Sequence, residues 1–288
     1  MPPLVSVRIV TYNHEAYIRQ CLEGVLMQRT NFDYEVIVGE HSSSDGTQKI
    51  VLDYQKNYPD TLQVLITSRD QGLMENVLRT QRACQGKYHA LCEGDDYWID
   101  PLKLQKQVDL LEAHPEMSMC FHNAFVVRED IFHIHYYFDV ALKKILNFED
   151  IYLRAIPTGS IVGRSEILNS LPAWRTRVMH ADRLIRMWCA HAGPLGYLDD
   201  AMSVYRKHPH GLTSKLGQSY HDYYTNTLFL CEEFNKATDY QHAALMKNLL
   251  AWAKTYRQRA RWGRWYYVLF PWRSLGRMQK KWRAMRQT

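Results

Sequence analysis

Over its first hundred residues the chain alternates short β-branched runs with segments whose apolar residues recur at helical spacing, and this narrows the folds open to it. Val5-Ser-Val-Arg-Ile-Val10 has the composition of a buried strand and passes into the polar turn Thr11-Tyr12-Asn13. Asn13 is placed to cap a helix that starts at His14-Glu15 and runs to Gln28 through Tyr17, Ile18, Cys21, Leu22, Val25 and Leu26. Tyr34–Val38 predicts a second strand leading into Gly39-Glu-His-Ser-Ser-Ser-Asp-Gly-Thr47, followed by a helix over 47–57. Leu62, Val64, Leu65 and Ile66 outline a third strand, then come a helix over 73–84 and a short strand, His89–Cys92. Strands and helices in this order predict right-handed βαβ units and a mostly parallel α/β sheet flanked by helices. Ligands of such sheets bind beyond the carboxyl ends of the strands. The loops Thr11–Asn13, Glu40–Thr47 and Glu93–Asp96 all follow strands, so all three are expected on that one edge. The stretch Ser42–Thr47 reads equally as a helix-capping turn, and both readings hold together.

The last of these strands ends abruptly in Glu93-Gly94-Asp95-Asp96-Tyr97-Trp98, three carboxylates around one glycine. Acids this close repel, so a positive partner must offset them if all stay ionised. A hard divalent cation, Mg²⁺ or Mn²⁺, suits carboxylates that also hold a phosphate-bearing substrate. An acidic turn after a strand is the bland alternative.

In chain order, Val5–Asn13, Gly39–Thr47 and Glu93-Gly-Asp-Asp-Tyr-Trp-Ile-Asp-Pro101 resemble the motifs of a family 2 glycosyltransferase of the GT-A fold, over about residues 4–215. The resemblance implies a Rossmann-like sheet and an inverting enzyme that takes sugar from a nucleotide diphosphate donor, usually with a divalent metal. It implies that Thr11 and Tyr12 line the base pocket together with Glu40 and His41, with Asp45 on the donor side. It also implies that Asp95 faces the ribose and sugar and that Asp96 holds the metal. Two positions depart from the family. His41 stands where a carboxylate usually accepts from the uracil ring N–H; a neutral imidazole can accept too, so a UDP-sugar stays the favoured donor. Glu75 stands where arginine is common, which throws neutralisation of the diphosphate onto the metal.

Further along, Pro101 opens a patterned helix up to His114, and Met117–Phe121 reads as a strand. Residues 128–150 are irregular, and the pair His133, His135 reads as structural rather than metal-binding; in the family this region shapes the acceptor site. Pro157–Val162 is strand-like again. Leu184, Ile185, Met187 and Trp188 define the buried face of a helix with Asp182 in its first turn. An acid there suits the helix dipole, so capping is one reading; the resemblance makes Asp182 the catalytic base, because Gly193-Pro-Leu-Gly-Tyr-Leu-Asp199 continues the family pattern. Tyr205-Arg206-Lys207-His208-Pro209-His210 matches the end of these domains, where Arg206, Lys207, His208 or His210 closes over the diphosphate or Arg206 is structural. His208 is the further candidate for the metal. Trp98 is assigned to the acceptor side. With one base and no second acid to serve as nucleophile, a single inverting displacement is expected.

Composition bears mainly on the C-terminal region. The chain of 288 residues has 46% hydrophobic and 23% charged residues, as globular proteins do. Residues 240–288 hold 12 Lys/Arg and no Asp/Glu, so the net charge of +6 divides into −6 for residues 1–239 and +12 for the rest. Five of the eight tryptophans (Trp252, Trp262, Trp265, Trp272, Trp282) lie in that basic segment. We therefore expect a catalytic domain over 1–215 and a helical, basic-aromatic extension over 216–288. Aromatics beside cations suit an anionic membrane surface; RNA binding and a packed helix with a solvated basic face are the rivals, and nucleic acid is not the expected partner. Six scattered cysteines without a Cys-x-x-Cys pair suggest reduced thiols in the cytosol. The N-terminus lacks signal-peptide features, and no uncharged apolar run reaches the length of a membrane span.

These expectations combine into a metal-dependent enzyme on the cytosolic face of a bacterial inner membrane. It would pass sugar to a glycan or lipid-linked acceptor in surface polysaccharide synthesis; the setting comes from the resemblance. A nucleotidyltransferase, which needs no base like Asp182, and a catalytically silent, membrane-bound nucleotide-sugar-binding protein are the alternatives.

Overall fold

The computed structural model describes residues 2–68, 71–179, 181–209, 211 and 220–262, with side chains to 258. It contains one ten-stranded sheet in which the strands run side by side in the order Leu62–Ile66, Tyr34–Glu40, Val5–Thr11, Tyr88–Glu93, Val162–Arg164, Met119–Arg128, Leu195–Lys207 and Tyr97–Trp98, with His133–Tyr136 pairing with Met119–Arg128 and Ile145–Leu146 with Leu195–Lys207. The first half is the expected βαβ run: β1 (Val5–Thr11), α1 (Ile18–Leu26), β2 (Tyr34–Glu40), α2 (Thr47–Asn57), β3 (Leu62–Ile66), α3 (Gly72–Ala83) and β4 (Tyr88–Glu93). All ladders among these strands are parallel. Val5, Val7, Ile9, Val36 and Val38 pack with Ile18, Leu22 and Val25 of α1 in one buried cluster. Gly24 is required there, since a Cβ would come within 2.6 Å of the Trp98 carbonyl oxygen.

The second half is less regular. It comprises β5 (Tyr97–Trp98), α4 (Lys103–Ala113), β6 (Met119–Arg128), β7 (His133–Tyr136), β8 (Ile145–Leu146), α5 (Phe148–Ile151), β9 (Val162–Arg164), α6 (Ser165–Asn169), α7 (Ala181–Ala192) and β10 (Leu195–Lys207). β6 and β10 pair in parallel over most of their length, but short β9 is antiparallel to both β4 and β6. The region 128–150, expected to be irregular, carries the antiparallel β6–β7 hairpin, β8, and α5 with a capping box between Asn147 and Asp150. Pro157–Val162 is mostly a 3₁₀ turn, Thr158–Ser160, ahead of β9.

Asn13 does not cap α1. The helix starts later, at Ile18, without a side-chain cap. Asn13 adopts φ 53° and turns its amide oxygen to the Ser44 backbone N–H at 2.8 Å. Its own N–H donates to Ser43 Oγ at 3.0 Å. A residue that bonds a second loop has no oxygen to spare for its own helix.

Residues 177–181 group with the chain from 215 onward as a second compact unit, in which α8 (Tyr220–Ala237) and α9 (Ala243–Trp262) are described. Here the Asn226 amide bonds the Arg177 carbonyl and the Met179 N–H, both at 2.7 Å. No described helix is long and apolar enough to cross a membrane. The basic-aromatic residues Arg264, Trp265, Trp272, Arg273 and Trp282, and the Trp262 side chain, lie outside the described residues, as does His210.

Candidate active site

The register of β1 with its neighbours sets Thr11 beside Glu40 and Val10 beside Glu93, so the three polar loops do emerge at one sheet edge. They are then stitched together by side-chain bonds. Asp45 accepts from the Thr47 N–H (3.0 Å) and hydroxyl (2.6 Å) with one oxygen and from the Glu15 N–H (3.1 Å) with the other. Glu15 in turn accepts from the Gly46 N–H at 2.8 Å. Asp45 thus shapes the loop, and both its oxygens are engaged within it.

Tyr12 is partly exposed, and its ring centroid lies 5.6 Å from that of His41 at an interplanar angle of 59°. Glu40 is buried, with one oxygen accepting from the Ser43 N–H at 2.7 Å. Its other oxygen and His41 Nδ1 are buried without a partner among the described residues. Buried polar atoms are rarely left unpaired, which marks this corner as a place for ligand polar groups or water. Glu75 sits in the first turn of α3 and pairs with Arg82 at 3.0 Å.

Glu93, Asp95 and Asp96 each bring a carboxylate oxygen within 4.8 Å of the others. Gly94 permits the turn between them, since a Cβ would meet Thr11 Oγ1 at 2.6 Å and His14 Nδ1 at 2.8 Å. Burial, then the charges of Asp95 and Asp182, push Glu93 up to about 8. Burial and the charges of Asp95 and Glu93 likewise hold Asp96 well above the usual carboxylate range. Burial also presses Asp95 upward, but the His208 hydrogen bond and the nearby His14 imidazole outweigh it and leave this acid lowered. Three oxygen donors that cannot all ionise unaided form a donor set that fits a hard divalent cation.

The carboxyl end of β10 frames this cluster. Its register shifts between Leu198 and Ser203, a bulged stretch that re-aims the strand. The Arg206 backbone N–H donates to Asp96 Oδ1 at 2.8 Å. The Arg206 guanidinium donates to the Asp95 carbonyl at 2.8 Å and to Gln20, and lies over the Tyr97 and Tyr17 rings at 4.4 and 5.1 Å. The guanidinium thus braces the acid loop, the structural role that the sequence leaves open for Arg206 beside closure over the diphosphate. His208 Nε2 sits 3.1 Å from Asp95 Oδ2 and is thus a partner of the cluster.

Trp98, expected on the acceptor side, is enclosed in the structure. At 2% exposure it presents almost no surface to an acceptor. Its indole N–H donates to the Gly159 carbonyl at 2.9 Å, and buried Lys103 Nζ stands 3.8 Å from the ring centroid. Lys103 donates to Gln107 at 2.7 Å, and Gln107 donates to the Ser160 carbonyl at 2.9 Å. Trp98 and Lys103 therefore brace the 157–160 turn against the acid loop. An aromatic residue after the acids reads the same in sequence whether it faces a ligand or the core.

Asp182 stands in the first turn of α7 with its side chain 41% exposed. One oxygen accepts from buried Arg186 Nη1 at 3.0 Å. Its charge is among those that raise Glu93, which places it near the acid cluster. An acid with one oxygen tethered and an exposed flank can take a proton from a hydroxyl brought to it.

Sequence reasoning gave no individual role to Glu93, His14, Gln20 or Glu129. Glu129, at the end of β6, accepts from the Tyr17 hydroxyl at 3.0 Å and lies 3.8 Å from Arg206 Nε. Glu93 was visible within the acidic motif. The others are brought in by strand register and helix packing, which no local pattern announces.

The sequence profile of Glycosyl transferase family 2 matches residues 6–170. An uncharacterized protein of Mycobacterium tuberculosis is 37% identical over 210 residues, 72% of this chain and 60% of that protein. The chain therefore spans less than two thirds of that relative. Chondroitin synthase of Escherichia coli is 33% identical over 117 residues, 41% of this chain and 16% of that enzyme. Among solved structures, Staphylococcus aureus TarS in complex with UDP superposes with a TM-score of 0.63 at 19% identity, covering 87% of this chain and 70% of that one. The mannosyltransferase PcManGT of Pyrobaculum calidifontis, in complex with GDP-Man and Mn²⁺, gives 0.58 at 19% identity, covering 100% of this chain and 81% of that one. The sheet is thus that of the GT-A glycosyltransferases, and the chain belongs to glycosyl transferase family 2.

Proposed function

We propose that this protein transfers a sugar, with inversion, from a nucleotide diphosphate donor to a hydroxyl of a glycan or lipid-linked acceptor. The observation that carries the reading is the meeting, at one sheet edge, of three loops that follow in-register strands and hold an acid trio, with a tethered, half-exposed Asp182 whose charge acts on Glu93. Tyr12 and His41, next to the unpartnered Glu40 oxygen, form the base end; UDP-sugars are the first donors to test, since TarS binds UDP and UDP-GlcNAc, with GDP-mannose second on the precedent of PcManGT. Glu93, Asp95 and Asp96 would hold Mn²⁺ or Mg²⁺, which supplies positive charge to the departing diphosphate. Asp182 receives the acceptor's hydroxyl proton as the new bond forms. Arg206 and His208 keep the acid loop in place, and Trp98 with Lys103 keeps the 157–160 turn against it.

The setting we propose is the cytosolic face of a bacterial inner membrane, in surface polysaccharide synthesis, with the +12 segment over 240–288 held to anionic lipid. Truncation after residue 256 should then release the protein from anionic vesicles and leave nucleotide binding intact. The reaction is tested by thermal shift against a panel of nucleotide sugars with Mn²⁺, followed by product analysis and anomeric NMR. Release of free nucleotide diphosphate with a glycosylated acceptor of opposite anomeric configuration supports the reading. Transfer of a nucleotidyl group, or binding without turnover across acceptors, would defeat it.

A further inference from the structure

His14 lies at the centre of the edge, between the loop after β1 and the acid loop. Its backbone N–H donates to Thr47 Oγ1 at 2.8 Å, so its position is set by the neighbouring loop. Its Nδ1 faces the Thr11 hydroxyl at 3.2 Å, and its Nε2 faces Asp95 Oδ2 at 3.8 Å. These two neighbours decide the tautomer. A hydroxyl can donate or accept, whereas a carboxylate facing an Nε2 lone pair would be repelled. The arrangement of lowest energy has Thr11 donating to Nδ1 and the hydrogen on Nε2. At 3.8 Å that N–H is too far from Asp95 for a hydrogen bond, and Asp95 Oδ2 already faces His208 Nε2 at 3.1 Å. Nε2 makes no hydrogen bond among the described residues, and the side chain keeps 19% of its surface exposed. An oriented N–H is thus left beside the acid trio on the edge where ligands of such sheets bind.

We propose that His14 is a donor-binding residue whose Nε2–H bonds an oxygen of the donor diphosphate and stays bonded to it as the nucleotide departs. The inference rests on the nucleotide diphosphate reading above. It gives the leaving group a contact from the protein itself, in a chain that has Glu75 where the resembled family commonly has an arginine. The imidazole keeps its proton throughout. It acts as a fixed dipole aimed at charge that grows on the phosphate.

The test is calorimetric titration with Mn²⁺ of UDP against UMP, and of GDP against GMP, into wild type, His14→Ala and His14→Gln. His14→Ala should weaken the diphosphates about tenfold and the monophosphates less than twofold, because one hydrogen bond to a charged acceptor is lost. His14→Gln retains an N–H of similar reach and should recover most of the loss. Equal weakening of mono- and diphosphates would mean that the loop, not the phosphate contact, was damaged, and would overturn the proposal. So would unchanged binding, or a fall in Mn²⁺ affinity measured without nucleotide, which would make His14 a ligand of the cation. A wild-type chain that binds neither diphosphate overturns the donor reading and this contact together, an outcome distinct from failure in the variants alone.

Discussion

The acid loop after β4 and the first turn of α7 each supply an aspartate, and the two are treated in opposite ways. Asp96 is buried among like charges, with one oxygen fixed by the Arg206 N–H. Asp182 is half-exposed and backed by the buried guanidinium of Arg186. Burial beside Asp95 and Glu93 makes Asp96 a costly anion unless a cation joins it. A cation already stands behind Asp182, whose exposed flank is open to a neutral hydroxyl. The same side chain is suited to holding charge in one place and to accepting a proton in the other.

The sharpest way to break this comparison is Asp182→Asn. The amide preserves shape and an oxygen for Arg186 but takes no proton, so turnover should fall by about 10²–10⁴ while donor affinity stays within twofold. Steady-state rates with titration of the donor check it; near-normal turnover would reduce the residue to a helix cap. Asp96→Asn should act on the other quantity. Mn²⁺-dependent donor affinity should drop about 10–100-fold, because an amide is a poorer ligand and the diphosphate charge is less offset. Calorimetry at several Mn²⁺ concentrations separates the two, and metal-dependent binding that survives intact would take Asp96 out of the site.

How much of this was legible in the sequence follows the same division. The parallel half of the sheet was readable because β1 and β2 are buried β-branched runs and β4 is a buried apolar one, all with polar endings that mark one edge, and the acid trio lies within four consecutive residues. The mixed second half was not. β9 is three residues long and takes its place from pairing with β4 and β6, and the β6–β7 hairpin exposes Phe132 at 95%, so apolar patterning there does not report a core. Asn13 reads as a cap because local rules see only its own helix, while its partners Ser43 and Ser44 come from the next loop. His14 carries no local signal for a related reason: its meaning depends on Asp95, 81 residues away.

A smaller effect sharpens the contrast without any substrate. In the metal-free protein Asp96→Asn relieves repulsion and should raise stability by about 1 kcal/mol. Asp182→Asn weakens a charge-assisted bond to a buried arginine, discounted for exposure, and should lower it by about 1 kcal/mol. Melting points should therefore move in opposite directions, by about 2–4 °C each. A shift of the same sign in both variants would mean that the two aspartates are not as differently placed as their partners suggest.

The slightest signal expected is in the pH dependence of metal-free stability. Glu93 has a folded value of about 8 against an ordinary 4.5. Between those two values the folded chain holds its proton more tightly than the unfolded chain does. Stability from this group should thus be full below about 4.5 and decline as pH rises toward 8. Lys103, lowered by burial to about 7 from 10.5, works in the other direction at higher pH. The unfolded chain binds the extra proton there, so stability from the lysine recovers as pH climbs from about 7 to 10.5. Melting curves from pH 5 to 9 should consequently fall, level between about 7 and 8, and then begin to recover. Glu93→Gln should flatten the fall, and Lys103→Met should remove the later recovery. Saturating Mn²⁺ should abolish the fall as well, since a bound cation keeps the carboxylates ionised. Asp182→Asn should ease the fall only slightly, because burial and Asp95 act on Glu93 more strongly than Asp182 does. If that variant instead flattened the curve as fully as Glu93→Gln, the two regions would form one titrating unit, and the division of labour between them would have to be redrawn.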